Sequence, residues 1–210
     1  MRNFDPHLPA PPREKYAEDL NYQLTVKLRE LSVRISHLED AMVGIYNGTA
    51  TRTQSGVVTG ATLVPASGIG TVTLPANFFS RVGKQLHVRL CGFYTTDASP
   101  GNGTMLIKIG STTYATTGSF VMDGSVTNHI WWFEGYITCR TAGTTGTVSG
   151  NFALIHSEQN VAGTLHSQDA AVTTPVAIDT TVEQAIDVQW TADDAGTSIS
   201  CTCFSLWENF

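Results

Sequence analysis

Six histidines, four cysteines and eighteen carboxylates are the groups in this chain that could move protons, attack a carbonyl or bind a metal, and their spacing supports none of these tasks. His7, His37, His87, His129, His156 and His166 are scattered, with neither His-x-His nor His-Glu-x-x-His spacing. A zinc site therefore has no local support, and each reads as a surface or internally satisfied histidine. A serine hydrolase needs a nucleophile with a base and an orienting acid, and no Gly-x-Ser-x-Gly elbow occurs. Cys201-Thr202-Cys203 sets two thiols on one face of a strand, which is poor ground for a metal site without another close Cys or His pair. Asp193 and Asp194, in Asp-Asp-Ala-Gly, read as side chains capping a turn and not as the carboxylate pair that flanks a glycosidic bond. Gly68-Ile69-Gly70 lacks the following helix that would hold a phosphate. The expectation is a protein that is not an enzyme, with no catalytic residue, no metal and no cofactor.

What remains is adhesive chemistry. In Ile130-Trp131-Trp132-Phe133-Glu134-Gly135-Tyr136-Ile137-Thr138-Cys139-Arg140, the two-residue alternation of a strand puts Trp131, Phe133, Ile137 and Cys139 on one face. That set carries no charge and is the natural core. Trp132, Glu134, Tyr136, Thr138 and Arg140 share the other face, where rings are mixed with a charged pair. This is the composition of a subunit interface or of a surface that stacks on sugar rings. Trp132, Tyr136 and Arg140 are thus the candidate surface-binding or interface residues, with burial inside the chain's own fold as the third reading.

The elements that must position these residues follow from where charge is placed. A net charge of −6 offers no basic stripe for nucleic acid and no polybasic patch for an anionic membrane, so neither partner is expected. No apolar run reaches the length of a membrane span or resembles a signal-peptide core, and the expectation is synthesis and assembly in a cytoplasm. Charged residues make up only 14% of the chain, yet they crowd into residues 1–46. This break in composition, closed by the turn dipeptide Asn47-Gly48, marks a domain boundary.

Residues 1–12 hold four of the eight prolines and read as an extended tail. Phe4 and Leu8, its large apolar side chains, are candidates for docking into a groove on a particle, with a mobile tail as the plainer reading. Residues 13–46 read as one helix. Leu24, Leu28, Leu31, Ile35, Leu38, Met42 and Ile45 are separated alternately by four and three residues, the seam of a coiled coil, and Asn21 falls at an upstream seam position that sets register. These eight residues are the candidate oligomerisation set. An amphipathic helix lying on its own β-domain is the competing reading, and the mixture of Leu, Ile and Met selects no oligomer number.

Residues 47–210 carry short alternating or β-branched runs between Gly, Asn, Asp and Pro, as an antiparallel β-sandwich requires. Strands are expected near 56–64, 69–74, 84–94, 104–109, 112–117, 128–140, 147–156, 176–178, 183–191 and 197–207. The four cysteines, Cys91, Cys139, Cys201 and Cys203, fall in these strands and read as small buried apolar residues, not as a disulfide framework. The fold class is mainly β, an N-terminal coiled coil followed by a sandwich.

The stretch from Gly70 through Leu74-Pro75-Ala76, Phe78 and Val82-Gly83-Lys84, then Thr104 to Thr113, Tyr136-Ile-Thr-Cys-Arg140, Ile186 to Trp190 and Thr197 to Thr202 resembles jelly-roll-like domains of fibre, spike and decoration proteins of tailed-bacteriophage virions. The resemblance implies a homotrimeric virion protein assembled in the host cytoplasm. Its N-terminal part would dock on a capsid, neck or tail protein, and its β-heads would face outward toward a host-surface glycan or protein. A stand-alone glycan-binding module, and a spike with depolymerase activity at subunit interfaces, are the alternatives.

Overall fold

The computed structural model describes residues 22–28, 43–157, 165–172 and 174–209. The chain divides into two units, Met1–Ala41 and Met42–Phe210. In the first, residues 22–28 are helical, and Leu24 and Leu28 are 57% and 58% exposed. The remaining seam residues up to Met42, with Asn21, Phe4 and Leu8, lie outside the described residues.

The second unit is built from strands. It opens with β1 (Val43–Gly48), β2 (Arg52–Ser55), β3 (Val58–Thr62), β4 (Gly68–Gly70) and β5 (Thr73–Leu74), all short. The long strand β6 (Gln85–Thr95) leads into β7 (Asn102–Ile109), β8 (Thr112–Thr116) and β9 (Phe120–Val121). Then come β10 (His129–Thr141), β11 (Gly146–Ser157), β12 (Leu165–Ala171) and β13 (Val176–Ile178). The described chain closes with β14 (Gln184–Ala192) and β15 (Ser198–Asn209).

Among the described residues these strands form two antiparallel sheets. The larger follows the order β12-β11-β10-β6-β15-β1-β4, with β13 added beside β11 and β2 beside β15. The smaller follows β3-β14-β7-β8, with β5 beside β14 and β9 beside β7. Alternation decides the layers. Leu86, Val88 and Leu90 of β6, Trp131, Phe133 and Ile137 of β10, and Phe204 and Leu206 of β15 are buried between the sheets. Met105, Ile107 and Ile109 of β7 and Ile186, Val188 and Trp190 of β14 are buried against them. Tyr114 of the smaller sheet meets Phe152 of the larger edge-on, 6.0 Å between centroids, which ties the layers together.

Two departures from the sequence reading have physical causes. The helix expected to run to Tyr46 gives way to β1, which pairs with β15 and with β4. Ile45, expected in the oligomer seam, packs instead against the sandwich core, and Tyr46 is buried on Phe204 at 5.6 Å. Gly44 disfavours a helix, while Val43, Ile45 and Tyr46 favour a strand, and two ladders of hydrogen bonds settle the outcome. The sandwich therefore starts before residue 47.

The second departure concerns Cys201 and Cys203. A bulge at Thr202 shifts the register, so that Cys201 opposes Gly92 while Cys203 opposes Cys91. Cys201 is buried in the core and Cys203 is only half-buried, so the two thiols lie on opposite faces. Strand β12, on the larger sheet's edge, was not expected, because Leu165-His-Ser-Gln-Asp carries almost none of the β-branched or aromatic side chains that signal a strand.

Candidate functional site

The outer faces of the two sheets differ in kind. On the smaller sheet, polar side chains satisfy one another. Asp187 accepts from Thr62 Oγ1 at 2.6 Å and from Gln189 Nε2 at 2.6 Å, and Thr191 Oγ1 accepts from Gly60 N at 2.9 Å. These side chains are paired within that face.

On the larger sheet the outer face is aromatic. In register across β6 and β10, Phe93 pairs with Ile130, Cys91 with Trp132, Arg89 with Glu134, His87 with Tyr136 and Gln85 with Thr138. On the other side of β6, β15 adds Cys203 beside Cys91, Ser205 beside Arg89 and Trp207 beside His87. Phe93, Ile130 and Tyr136 are 43%, 47% and 45% exposed, which is high for large apolar side chains standing together on one sheet. The sequence reading put Trp132, Tyr136 and Arg140 on one face of a strand, and the structure places all three on this outer face.

Charge sits in the middle of the rings. Glu134 Oε1 lies 3.2 Å from His87 Nε2 and Glu134 Oε2 3.8 Å from Arg89 Nε. The His87 ring in turn packs on Trp207, 5.1 Å between centroids. Gln85 Nε2 donates to Thr138 Oγ1 at 3.2 Å at one edge of the patch. Arg140, further along β10, donates its Nε–H to Ser149 Oγ and so belongs to the margin of the face. Beside the charged centre, Arg89, Cys91, Phe93, Ile130, Trp132 and Thr202 line a shallow depression of about 240 Å³.

Sequence reasoning missed Phe93, His87, Arg89 and Trp207. The alternation of β6 was visible, but its neighbour relation to β10, and to Trp207 on β15, is a matter of long-range pairing, which local pattern does not encode. The void between the sheets beside Tyr94, Met105, Trp131, Leu154, Trp190 and Ile199 encloses about 20 Å³, room for one water molecule and not for a sugar ring. Among the described residues no group of three or more His, Cys, Asp or Glu could hold a metal ion, and no helix is long and apolar enough to cross a membrane. Asp194 caps its own turn, its Oδ2 accepting from Gly196 N at 2.8 Å, whereas Asp193 does not: its Oδ2 accepts from Asn102 Nδ2 at 2.9 Å, at the end of the neighbouring strand β7.

No protein-family profile and no curated protein sequence matches the chain. Among solved structures, the chain is similar to the CBM2 module of the evolved Dit of Lactobacillus casei BL23 phage J-1, at 11% identity and a TM-score of 0.35, covering 80% of this chain and 97% of that one. Lectin I of Ulex europaeus, solved with the methyl glycoside of α-L-fucose, matches at 9% identity and a TM-score of 0.34, covering 80% and 98%. A legume lectin-like domain from Entamoeba histolytica matches at 9% identity and a TM-score of 0.25, covering 74% and 88%. Likeness at this level carries no argument about what this chain binds.

Proposed function

We propose that the protein is a non-enzymatic attachment protein of a phage virion, whose exposed β-sandwich binds a host-surface glycan on the outer face of the larger sheet. The observation that supports binding is the set of Trp132, Tyr136 and Trp207 rings around a carboxylate flanked by a guanidinium and an imidazole. A pyranose has one face lined by C–H groups and a rim of hydroxyls. The C–H face stacks on a ring, and the hydroxyls donate to Glu134 and accept from Arg89. The same residues also fit a subunit interface, but lasting interfaces exclude charge from their centre, and here the charge is central.

The non-catalytic reading rests on the sequence, in which no spacing of nucleophile, base and acid supports catalysis. Self-association is assigned to the stripe containing Leu24 and Leu28, the number three and the virion to the sequence resemblance, and docking to Phe4 and Leu8. Several weak sugar sites on one oligomer then act together by raising effective concentration.

A glycan array with the full-length protein tests the binding. The expected result is millimolar-or-better binding to a bacterial surface polysaccharide that falls roughly tenfold or more in Trp132→Ala and Tyr136→Ala, with unchanged circular dichroism. Equal binding by wild type and variants, or silence across the array, rejects the glycan reading. Removing residues 1–12 is expected to leave a soluble oligomer that no longer joins particles, and normal incorporation of that form rejects the docking role.

A further inference from the structure

Two of the four cysteines stand opposite each other on the outer face. Cys91 on β6 follows His87 and Arg89 outward, and Cys203 on β15 is its register partner. The bulge at Thr202 makes this pairing, since strict alternation from the buried Cys201 would have turned residue 203 into the core. As a directly opposed pair on adjacent antiparallel strands, their Cα atoms stand about 4.5–5.5 Å apart, within the span a disulfide bridges. Both residues are half-buried, and Cys91 lines the depression that opens beside Trp132, which gives a small reagent a path to the sulfur.

The other two cysteines are different. Cys139 is buried with its thiol donating to the Phe79 carbonyl at 3.4 Å, and Cys201 is buried with its thiol donating to the Cys203 carbonyl at 3.2 Å. Each is held in the interior by its own acceptor.

We propose that Cys91 and Cys203 are a cross-linking site, joined as a disulfide between β6 and β15 when the folded protein meets a small-molecule disulfide. One protein thiol loses its proton and attacks a sulfur of the small disulfide, releasing one small thiol and leaving a mixed disulfide on the protein. The second protein thiol loses its proton and attacks the protein sulfur of that mixed disulfide, releasing the second small thiol. Two protein thiols are oxidised by two electrons, one small disulfide is reduced to two thiols, and the protons pass to the departing sulfurs. The link fastens two central strands of the larger sheet at residues far apart in sequence, so it restricts the unfolded chain strongly. Burial, with the neighbouring Cys203 thiol, pushes the Cys91 thiol up to about 11, so the exchange runs slowly at neutral pH and faster in alkali. The inference does not depend on what the outer face binds.

The test is to incubate the folded full-length protein with oxidised glutathione at mildly alkaline pH and to read intact mass, peptide map and melting temperature. The expected result is loss of two hydrogens, a Cys91–Cys203 linked peptide and a rise in Tm of roughly 5–10 °C, reversed by a dithiol. Cys91→Ser and Cys203→Ser should each prevent the loss of two hydrogens, whereas Cys139→Ser should not. An unchanged mass, stable glutathione adducts on both sulfurs, or a link through Cys201 overturns the proposal.

Discussion

Glu134 stands directly across the β6–β10 ladder from Arg89, with 3.8 Å between Oε2 and Nε, on the face that also carries Trp132, Tyr136 and Trp207. Both side chains are more than a third exposed, so solvent screens the pair and its contribution to folding is at most about 1 kcal/mol. Glu134→Gln keeps shape and an acceptor but removes the charge. The expected outcome is a Tm within about 3 °C of wild type and glycan affinity lower by roughly tenfold. A large fall in Tm would show that the carboxylate serves the fold instead.

Phe133 and Phe93, on neighbouring strands, separate the two faces of one sheet. Phe133 is fully buried and stacks on Phe152 at 5.1 Å, whereas Phe93 is 43% exposed beside the depression. Phe133→Ala should cost about 3–5 kcal/mol in chemical denaturation, and Phe93→Ala about 1 kcal/mol or less. Similar costs at both positions would mean that the outer face is covered in the folded protein.

How far the sequence led depended on whether a feature was local. The facing of β10 followed from two-residue alternation alone, and Trp131 and Trp132 point in and out as that period requires. The turn cap Asp194 was equally legible, because the Gly196 amide it binds lies two residues on, whereas the bond of Asp193 to Asn102 joins distant strands and was not. Ile45 was misread because it continues the alternating four-and-three spacing of the leucines before it, and a heptad and a short strand can share one apolar position. Gly44 was the overlooked signal. The placing of Cys203 over Cys91, and of Trp207 beside His87, depends on a bulge and on pairing between distant strands, which no local pattern carries.

The buried cysteine of the bulge predicts alkaline behaviour. Burial pushes the Cys201 thiol up to about 12, helped by the nearby Cys91 and Cys203 thiols and opposed by its hydrogen bond to the Cys203 backbone. An unfolded thiol titrates near pH 8.5, so the folded state holds this proton more tightly. Stability from this source is complete below that pH and is lost as the pH climbs toward 12. Urea denaturation of wild type and Cys201→Ala across this range should show a steeper alkaline decline in wild type. Parallel declines would reject the assignment.

Gly70 holds β4 against β1. Its φ is +95°, and a Cβ there would sit 1.9 Å from the Ile45 carbonyl oxygen. The position combines a left-handed backbone with a close approach that only glycine allows. Gly70→Ala should destabilise by more than about 2 kcal/mol and loosen β1, seen as a lower Tm and faster amide exchange at Tyr46 and Asn47. Unchanged exchange there would mean that β1 is held by β15 alone.

The start of the sandwich can be located by truncation. Residues 1–41 form one unit and β1 belongs to the next, where Tyr46 packs on Phe204 and Ile45 against the core. Deleting residues 1–41 should leave Tm within a few degrees of the full chain while light scattering reports a monomer, because the stripe containing Leu24 and Leu28 is gone. Deleting residues 1–48 removes β1, uncovers β15 along Ser205–Glu208 and leaves β4 without its partner. That form should melt at least about 10 °C lower or aggregate through the exposed strand edge. If both truncations melt alike, β1 contributes nothing to the sandwich and the boundary returns to Asn47; if the shorter deletion remains oligomeric, subunits associate through the sheets instead of the leucine stripe.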